Sequence, residues 1–497
     1  MTDSVRLDRR TLLQTTALLA TSGLGSTLTA AQAAVPEVEA FDVVVIGSGG
    51  AGLAAAIMSA SQGARTLILE KMSEVGGNTR LADGFNAVDP EAQHAIGVKD
   101  SPEKHAEQML ESGRWSADPA LVRTVTYGAP DAFEWLKACG VVFAPDIYQV
   151  YGSLWPRTHS PATPVGSGYI EPLMNECARL GVEVRKRTKV LRVLRPDSGP
   201  VTGVEVRTAS GVVRRIDARR GIVVATGGFS ANANLVARFD PRLSDLHTTN
   251  LPGATGDLIA PLEDIGAATV GMEFFQLLPG SVSDGRFVGA ISPVENMVLV
   301  NRTGLRFVAE DQLGVTVTDA VLGQPGRLAF PILDASGYIG MRPMSRYAFD
   351  VAMARGDAVS AQSLAALASK LQIPPENLVR TVEEYNHAVR TKRDPIGRDP
   401  NMLVSPLVKP PFYAAKVSMS VNCSLGGIAI TPRAEVLDRH RRVIPNLYAA
   451  GEVTGGVHGA NFMGGNALSE IFTFGRIAGL SAALGPMKTL VYAPSAS

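Results

Sequence analysis

Phe41-Asp42-Val43-Val44-Val45-Ile46 runs straight into Gly47-Ser48-Gly49-Gly50-Ala51-Gly52, and no other stretch of the chain restricts its fold so tightly. The first six residues are a short apolar run of strand formers. Leu53 to Gln62 reads as an alanine-rich helix, and Thr66-Leu67-Ile68-Leu69 as a second strand closing on Glu70. Strand, glycines, helix, strand and terminal acid in this order describe a βαβ unit that grips a dinucleotide. Gly47 permits the tight turn, Gly49 lets backbone N–H groups reach a pyrophosphate, and Gly52 lets helix and strand pack closely. Gly50 and Ala51 open the helix, whose N-terminus offers partial positive charge to the phosphates. Glu70 stands where an acid can accept hydrogen bonds from the adenosine ribose.

Three further segments favour FAD over NAD. Lys71 to Thr79 follows the second strand, and its Gly76, Gly77, Asn78 and Thr79 suit a chain passing beneath the pyrophosphate toward the isoalloxazine. Ile222-Val223-Val224 is a strand ending in the small residues Ala225, Thr226, Gly227 and Gly228, fitted to the adenine–ribose end. Near the C-terminus, Asn446 to Ala450 is a strand closing on Gly451 and Glu452, an acid that can hold the ribityl chain. Gly464, Gly465, Asn466, Ala467 and Leu468 then open an apolar helix. A helix start there aims N–H groups at the flavin N1/C2=O edge, where reduced flavin carries negative charge.

Length and charge bound the rest. At 497 residues the chain is too long for one ordinary core. Lys+Arg and Asp+Glu balance at 47 each, so no net field favours nucleic acid. The three cysteines form no C-x-x-C pair, which argues against haem attachment, zinc or an iron–sulfur cluster, and no metal is expected. Cys139 and Cys177 read as unpaired buried thiols. Asp8-Arg9-Arg10-Thr11-Leu12-Leu13 begins a mildly apolar stretch ending in Gln32-Ala33-Ala34, which reads as a twin-arginine export signal over residues 1–33. The mature protein is then expected in the periplasm, exported already folded, with no membrane span.

With these motifs in place, the sequence resembles the flavoprotein subunit of fumarate reductase and succinate dehydrogenase, above all the soluble flavocytochrome c type. The resemblance spans about residues 41–482 and is most specific in Gly451-Glu452-Val453-Thr454-Gly455-Gly456-Val457-His458-Gly459-Ala460-Asn461. It implies an α/β fold: a Rossmann-like, GR2-type FAD-binding domain from residues 41–270 and 423–485, an inserted α+β capping domain at 271–422, and a loose tail at 486–497. Relatives with covalent flavin carry a histidine just after the Gly-Gly-Asn segment. Arg80, Leu81 and Ala82 stand there instead, so the FAD is expected to be non-covalent.

The substrate positions depart from the family. Its substrate histidine falls on Cys423, its carboxylate-binding arginine on Phe462, its proton-donating arginine on Gly314, and a further histidine on Gln276. The proton relay falls near Gly289, Ala290 and Pro293. Two carboxylates stripped of water need paired cations, so a less polar, cyclic or ketone-type substrate is expected, as for the 3-ketosteroid dehydrogenases that share the FAD fold. C–C desaturation or its reverse still needs a proton carrier. Tyr347 and Arg346 in the cap, Asp311, and Tyr151, Arg157 or His159 are the candidates. The expected function is CH–CH oxidoreduction on a small molecule, with a separate cytochrome, quinone or oxygen as electron partner. A fumarate reductase with a rearranged site and a catalytically silent electron-transfer flavoprotein are the alternatives.

Overall fold

The valine run becomes a strand buried on both faces. In the computed structural model, which describes residues 38–150, 155–163, 165–286, 288–289, 294–485, 490 and 492, β1 (Glu39–Ile46) is flanked by β2 (Thr66–Leu69) and β3 (Val213–Val224), parallel to both. Val43, Val44 and Val45 are wholly buried. A near-continuous apolar run is what a central parallel strand needs, since helices or loops cover both its faces. The sheet continues from β3 to Val443–Ala449 and from β2 to Glu183–Arg185, again in parallel, so segments from both ends of the chain meet at its middle. Lys189–Leu194 and Gly203–Arg207 extend β3 as an antiparallel meander. The leader read at 1–33, with Tyr151, Ala290 and Pro293, lies outside the described residues.

The chain also forms helices α1 (Gly50–Ser61), α2 (Pro102–Ser112), α3 (Gly314–Leu322), α4 (Pro343–Arg355) and α5 (Asn466–Leu484). α1 and α5 approach backbone to backbone: a Cβ at Gly479 would lie 2.2 Å from Ala55 O, and one at Gly475 2.6 Å from Ala51 O. Glycine is required at both contacts. Among the described residues α5 is long and apolar enough to cross a bilayer, yet most of it is buried in this core.

The segment between the two cofactor stretches builds its own antiparallel sheet, ordered Met297–Val300, Phe330–Leu333, Phe412–Ala415 and Ala358–Ala361. Phe275–Ser281 pairs with Val417–Ser424 beside it. The second hydrophobic core joins Phe229, Val236 and Ile259 to Leu277, Met297, Phe349 and Val417. Residues before 270 and after 271 thus share apolar packing, and Glu39 onward forms one compact unit.

Candidate active site

Three turns meet in one deep cleft. It is lined by Gly47 to Ala51, Glu70, Lys71, Gly77, Asn78, Thr79, Ala225 to Gly227, Gly451 and Glu452. Gly47 has φ +104°, and its Cβ would meet Ala225 O at 2.3 Å; a Cβ on Gly52 would meet Gly47 O at 2.0 Å. Gly52 therefore lies behind the cleft, packing helix on strand. Gly76, at φ +106°, is likewise behind the wall, its N–H bonded to Ser48 O at 3.0 Å. α1 has no side-chain cap, although Thr79 Oγ1 accepts the Gly50 N–H at 3.0 Å. Glu70 is fixed by Ser48, whose N–H donates at 3.1 Å and whose hydroxyl donates at 2.5 Å, and by the Met72 N–H at 2.8 Å. The cleft also contains the buried Thr226 hydroxyl with no protein partner and an open, left-handed Gly227. A helix start, a buried acid, small-residue walls and an unpartnered donor are the features a pyrophosphate-linked dinucleotide fits.

Sequence reasoning missed part of this wall. Thr188 to Val190, Leu251 to Ala254 and Gly256 to Leu258 also line it, and Asp257 accepts from Lys71 Nζ at 2.8 Å. Pro252-Gly253-Ala254-Thr255-Gly256-Asp257 is another glycine-rich turn ending in an acid, the same signal as Gly451-Glu452.

At the far end, Glu452 is half-buried and accepts from Ser424 N–H at 3.1 Å and Ser424 Oγ at 3.2 Å. Gly228 makes the room, since a Cβ there would lie 2.2 Å from the Glu452 carboxylate. Burial pushes the Glu452 carboxyl up to about 7. α5 begins with Gly465 at φ +87° and no side-chain cap. Gly465, Asn466, Ala467 and Leu468 do not line the cleft itself. Asn466 Oδ1 accepts from Asn86 Nδ2 at 2.8 Å and faces His105 Nε2 at 2.9 Å. Burial, and then the Arg157 charge, hold His105 down to about 3, so it is neutral at physiological pH. With Oδ1 engaged twice, the buried Asn466 Nδ2 has donors and no protein partner.

The substituted substrate positions are gathered around this end. Gln276 lies opposite Cys423 in the antiparallel pair, and Asn422 Nδ2 donates to Gln276 Oε1 at 3.0 Å. Burial pushes the Cys423 thiol well above its ordinary range, aided by the Glu452 and Glu470 carboxylates, which suits a lining role and not an acid. Glu470 pairs with His458 at 2.7 Å, and Phe462 packs edge-on against His458 at 5.0 Å between ring centres. Gly314 begins α3 with its Cβ position 3.7 Å from Asn461 Oδ1, next to Phe462. Gln276, Cys423, Phe462 and Gly314 carry no charge.

The expected proton carriers are not brought to this place. Tyr347 is 69% exposed on α4. Arg346 lies over the Tyr338 ring at 3.8 Å and donates to the Tyr338 carbonyl, so stacking and hydrogen bonding turn it away. Asp311 Oδ2 accepts the Asp399 N–H at 2.7 Å, and its buried Oδ1 has no protein partner. Arg157 is fully buried in an ion pair with Asp100 at 2.8 Å, and His159 is buried against Phe133 at 4.3 Å. Among the described residues no three His, Cys, Asp or Glu side chains gather as a metal site.

The model of the FAD binding domain matches residues 42–468. The chain is similar to the fumarate reductase (cytochrome) of Shewanella frigidimarina, 37% identical over 458 residues, covering 91% of this chain and 79% of that one. Among solved structures it is similar to the open conformation of a flavocytochrome c3 fumarate reductase, at TM-score 0.73 and 31% identity, covering 90% of this chain and 79% of that one. It is equally similar in shape to the 3-ketosteroid-Δ4-(5α)-dehydrogenase of Rhodococcus jostii RHA1 in complex with 4-androstene-3,17-dione, at TM-score 0.73 and 27% identity, covering 90% of this chain and 98% of that one.

Proposed function

The chain belongs to the FAD-binding flavoprotein family of the fumarate reductases, an FAD-dependent oxidoreductase of CH–CH chemistry, and from that premise we propose that its substrate is not a dicarboxylate but a cyclic or ketone-type molecule. One observation carries this: the four positions where the family resemblance implies histidines and arginines hold Gln276, Gly314, Cys423 and Phe462, with Gln276 opposite Cys423, which precedes the Ser424 that binds Glu452, and Phe462 against the His458 that pairs with Glu470. An unpaired buried carboxylate costs several kcal/mol, whereas a phenylalanine wall and a neutral thiol favour apolar surface. The similarity in shape to a ketosteroid dehydrogenase supports the same substrate class.

Bound FAD supplies two-electron chemistry by taking up or giving up a hydride. The protein's part is to hold it: the α1 start and Gly49 for the pyrophosphate, Glu70 for the ribose, Glu452 for the ribityl chain, and the α5 start for the pyrimidine edge. Arg80, Leu81 and Ala82 provide no covalent link, so the FAD is held non-covalently. Residues 271–422 act as a cap that closes over the substrate. The leader at 1–33 supports export to the periplasm, and electrons pass to a separate partner such as a cytochrome, a quinone or oxygen. The test is anaerobic bleaching of the FAD-loaded protein by saturated ketosteroids, cyclic ketones, aromatic acids and succinate. A ketone-type compound is expected to bleach it; bleaching by succinate alone would reject the substrate class, and bleaching by none would favour an electron-transfer role.

A further inference from the structure

Moving a hydride from one carbon requires moving a proton at its neighbour. The segment from Gly77 to Asn86 runs between the two helix starts. Gly77, Asn78 and Thr79 line the cleft, while the Asn86 N–H donates to Gly465 O at 3.2 Å. Asp83-Gly84 lies in the chain between these points. Asp83 Oδ2 accepts from Ser160 Oγ at 3.0 Å, and Ser160 Oγ shares a hydrogen bond with Tyr148 Oη at 2.9 Å. The direct Tyr148–Asp83 approach, 3.5 Å, is at the limit of a hydrogen bond, so Ser160 is the bridge. A Cβ on Gly84 would stand 2.6 Å from Thr158 Cγ2, 3.6 Å from Tyr148 Oη and 4.0 Å from Gly465 Cα, so Gly84 has Thr158, the phenol and the α5 start all close about it. Over the Tyr148 ring, at 3.8 Å, lies the guanidinium of Arg342, which precedes α4 and also pairs with Asp146. The loop after Thr79, Ser160 just past the short strand Thr158–His159, and Arg342 ahead of α4 thus meet around Tyr148.

We propose that Tyr148 exchanges the substrate proton, with Ser160 and Asp83 as its onward path. This role rests on the CH–CH reading above and names the group that reading lacks. In desaturation the carbon next to the hydride donor loses its proton to the Tyr148 oxygen. Tyr148 passes its own proton to Ser160, and Ser160 passes its own to the Asp83 carboxylate. The electron pair of that C–H bond becomes the C=C bond, two electrons leave with the hydride to the flavin, and Asp83 ends neutral. Ene-reduction reverses every transfer. Burial raises Asp83, which readies it to hold a proton, and burial followed by Asp83 pushes Tyr148 up to about 12, which keeps the phenol neutral.

Tyr148→Phe, Ser160→Ala and Asp83→Asn proteins loaded with FAD test this in two ways. A phenol touching the isoalloxazine quenches its fluorescence, so Tyr148→Phe is expected to lengthen the flavin fluorescence lifetime several-fold. An unchanged lifetime would overturn the contact. With 5α-androstane-3,17-dione or another compound that bleaches the wild type, Tyr148→Phe is expected to slow anaerobic bleaching about 100-fold or more while dithionite reduction is unchanged. Asp83→Asn is expected to displace the pH profile of that rate, and Ser160→Ala to slow it less. Bleaching by Tyr148→Phe at the wild-type rate would overturn the proposal. If no compound bleaches the wild type, the substrate reading fails, and the lifetime still decides whether Tyr148 reaches the flavin.

Discussion

Glu452 shows how one side chain couples the cofactor site to stability. Burial raises its carboxyl to about 7, so between its ordinary range and that value the folded FAD-free protein binds a proton that the unfolded chain does not. Stability must then fall as pH rises through this window. The FAD-free protein is expected to melt at higher temperature near pH 5.5 than near pH 8, by on the order of 3 kcal/mol at full effect. Glu452→Gln should flatten that term, and equal slopes in thermal melts of both proteins would refute it. Asn466→Ala, which removes the buried unpartnered donor, is expected to weaken FAD binding about tenfold, or ~1.4 kcal/mol, by fluorescence titration. Glu452 and Asn466 were legible in the sequence because each ends a glycine-flanked motif. His105, which orients Asn466, was not: a lone histidine on α2 gives no local sign that its partner lies 361 residues away.

The same divide holds among elements. The βαβ unit could be read because strand, turn and helix are encoded within about thirty residues, by local spacing alone. The cleft wall from Thr188 to Val190 could not, because its place is set by long-range pairing such as the Thr188 N–H on Glu70 O, whereas the turn from Pro252 to Asp257 carries the same glycine–acid signal as Gly451-Glu452. The convergence of α1 with α5 is another such long-range fact, and it depends on glycines. Gly479→Ala forces a methyl group to within 2.2 Å of the Ala55 carbonyl. Both helix starts serve one cofactor, so this substitution is expected to lower the melting temperature and FAD affinity together, with a loss on the order of 2–3 kcal/mol in stability. Thermal melts with and without added FAD measure both, and a normal affinity beside a lowered melting temperature would separate the helix contact from the site.

At the scale of the whole molecule, a fold built for FAD carries a substrate region without the family's cations. The fold and the cofactor were readable from motifs, while the substrate could be approached only through the proposal that Gln276, Gly314, Cys423 and Phe462 stand where the family resemblance implies histidines and arginines. Phe462→Arg returns one cation beside His458 and is expected to tighten fumarate binding roughly tenfold, the worth of one charge-assisted hydrogen bond, read as a shift of the flavin spectrum on titration; no change would mean that position 462 does not face the substrate. The central claim is tested most directly by reducing the FAD-loaded protein with dithionite and following its reoxidation without oxygen, with fumarate in one syringe and a 3-keto-4-ene steroid in another. Rapid reoxidation by the enone, with fumarate no faster than buffer, is the result expected here; rapid reoxidation by fumarate with an inert enone would contradict it.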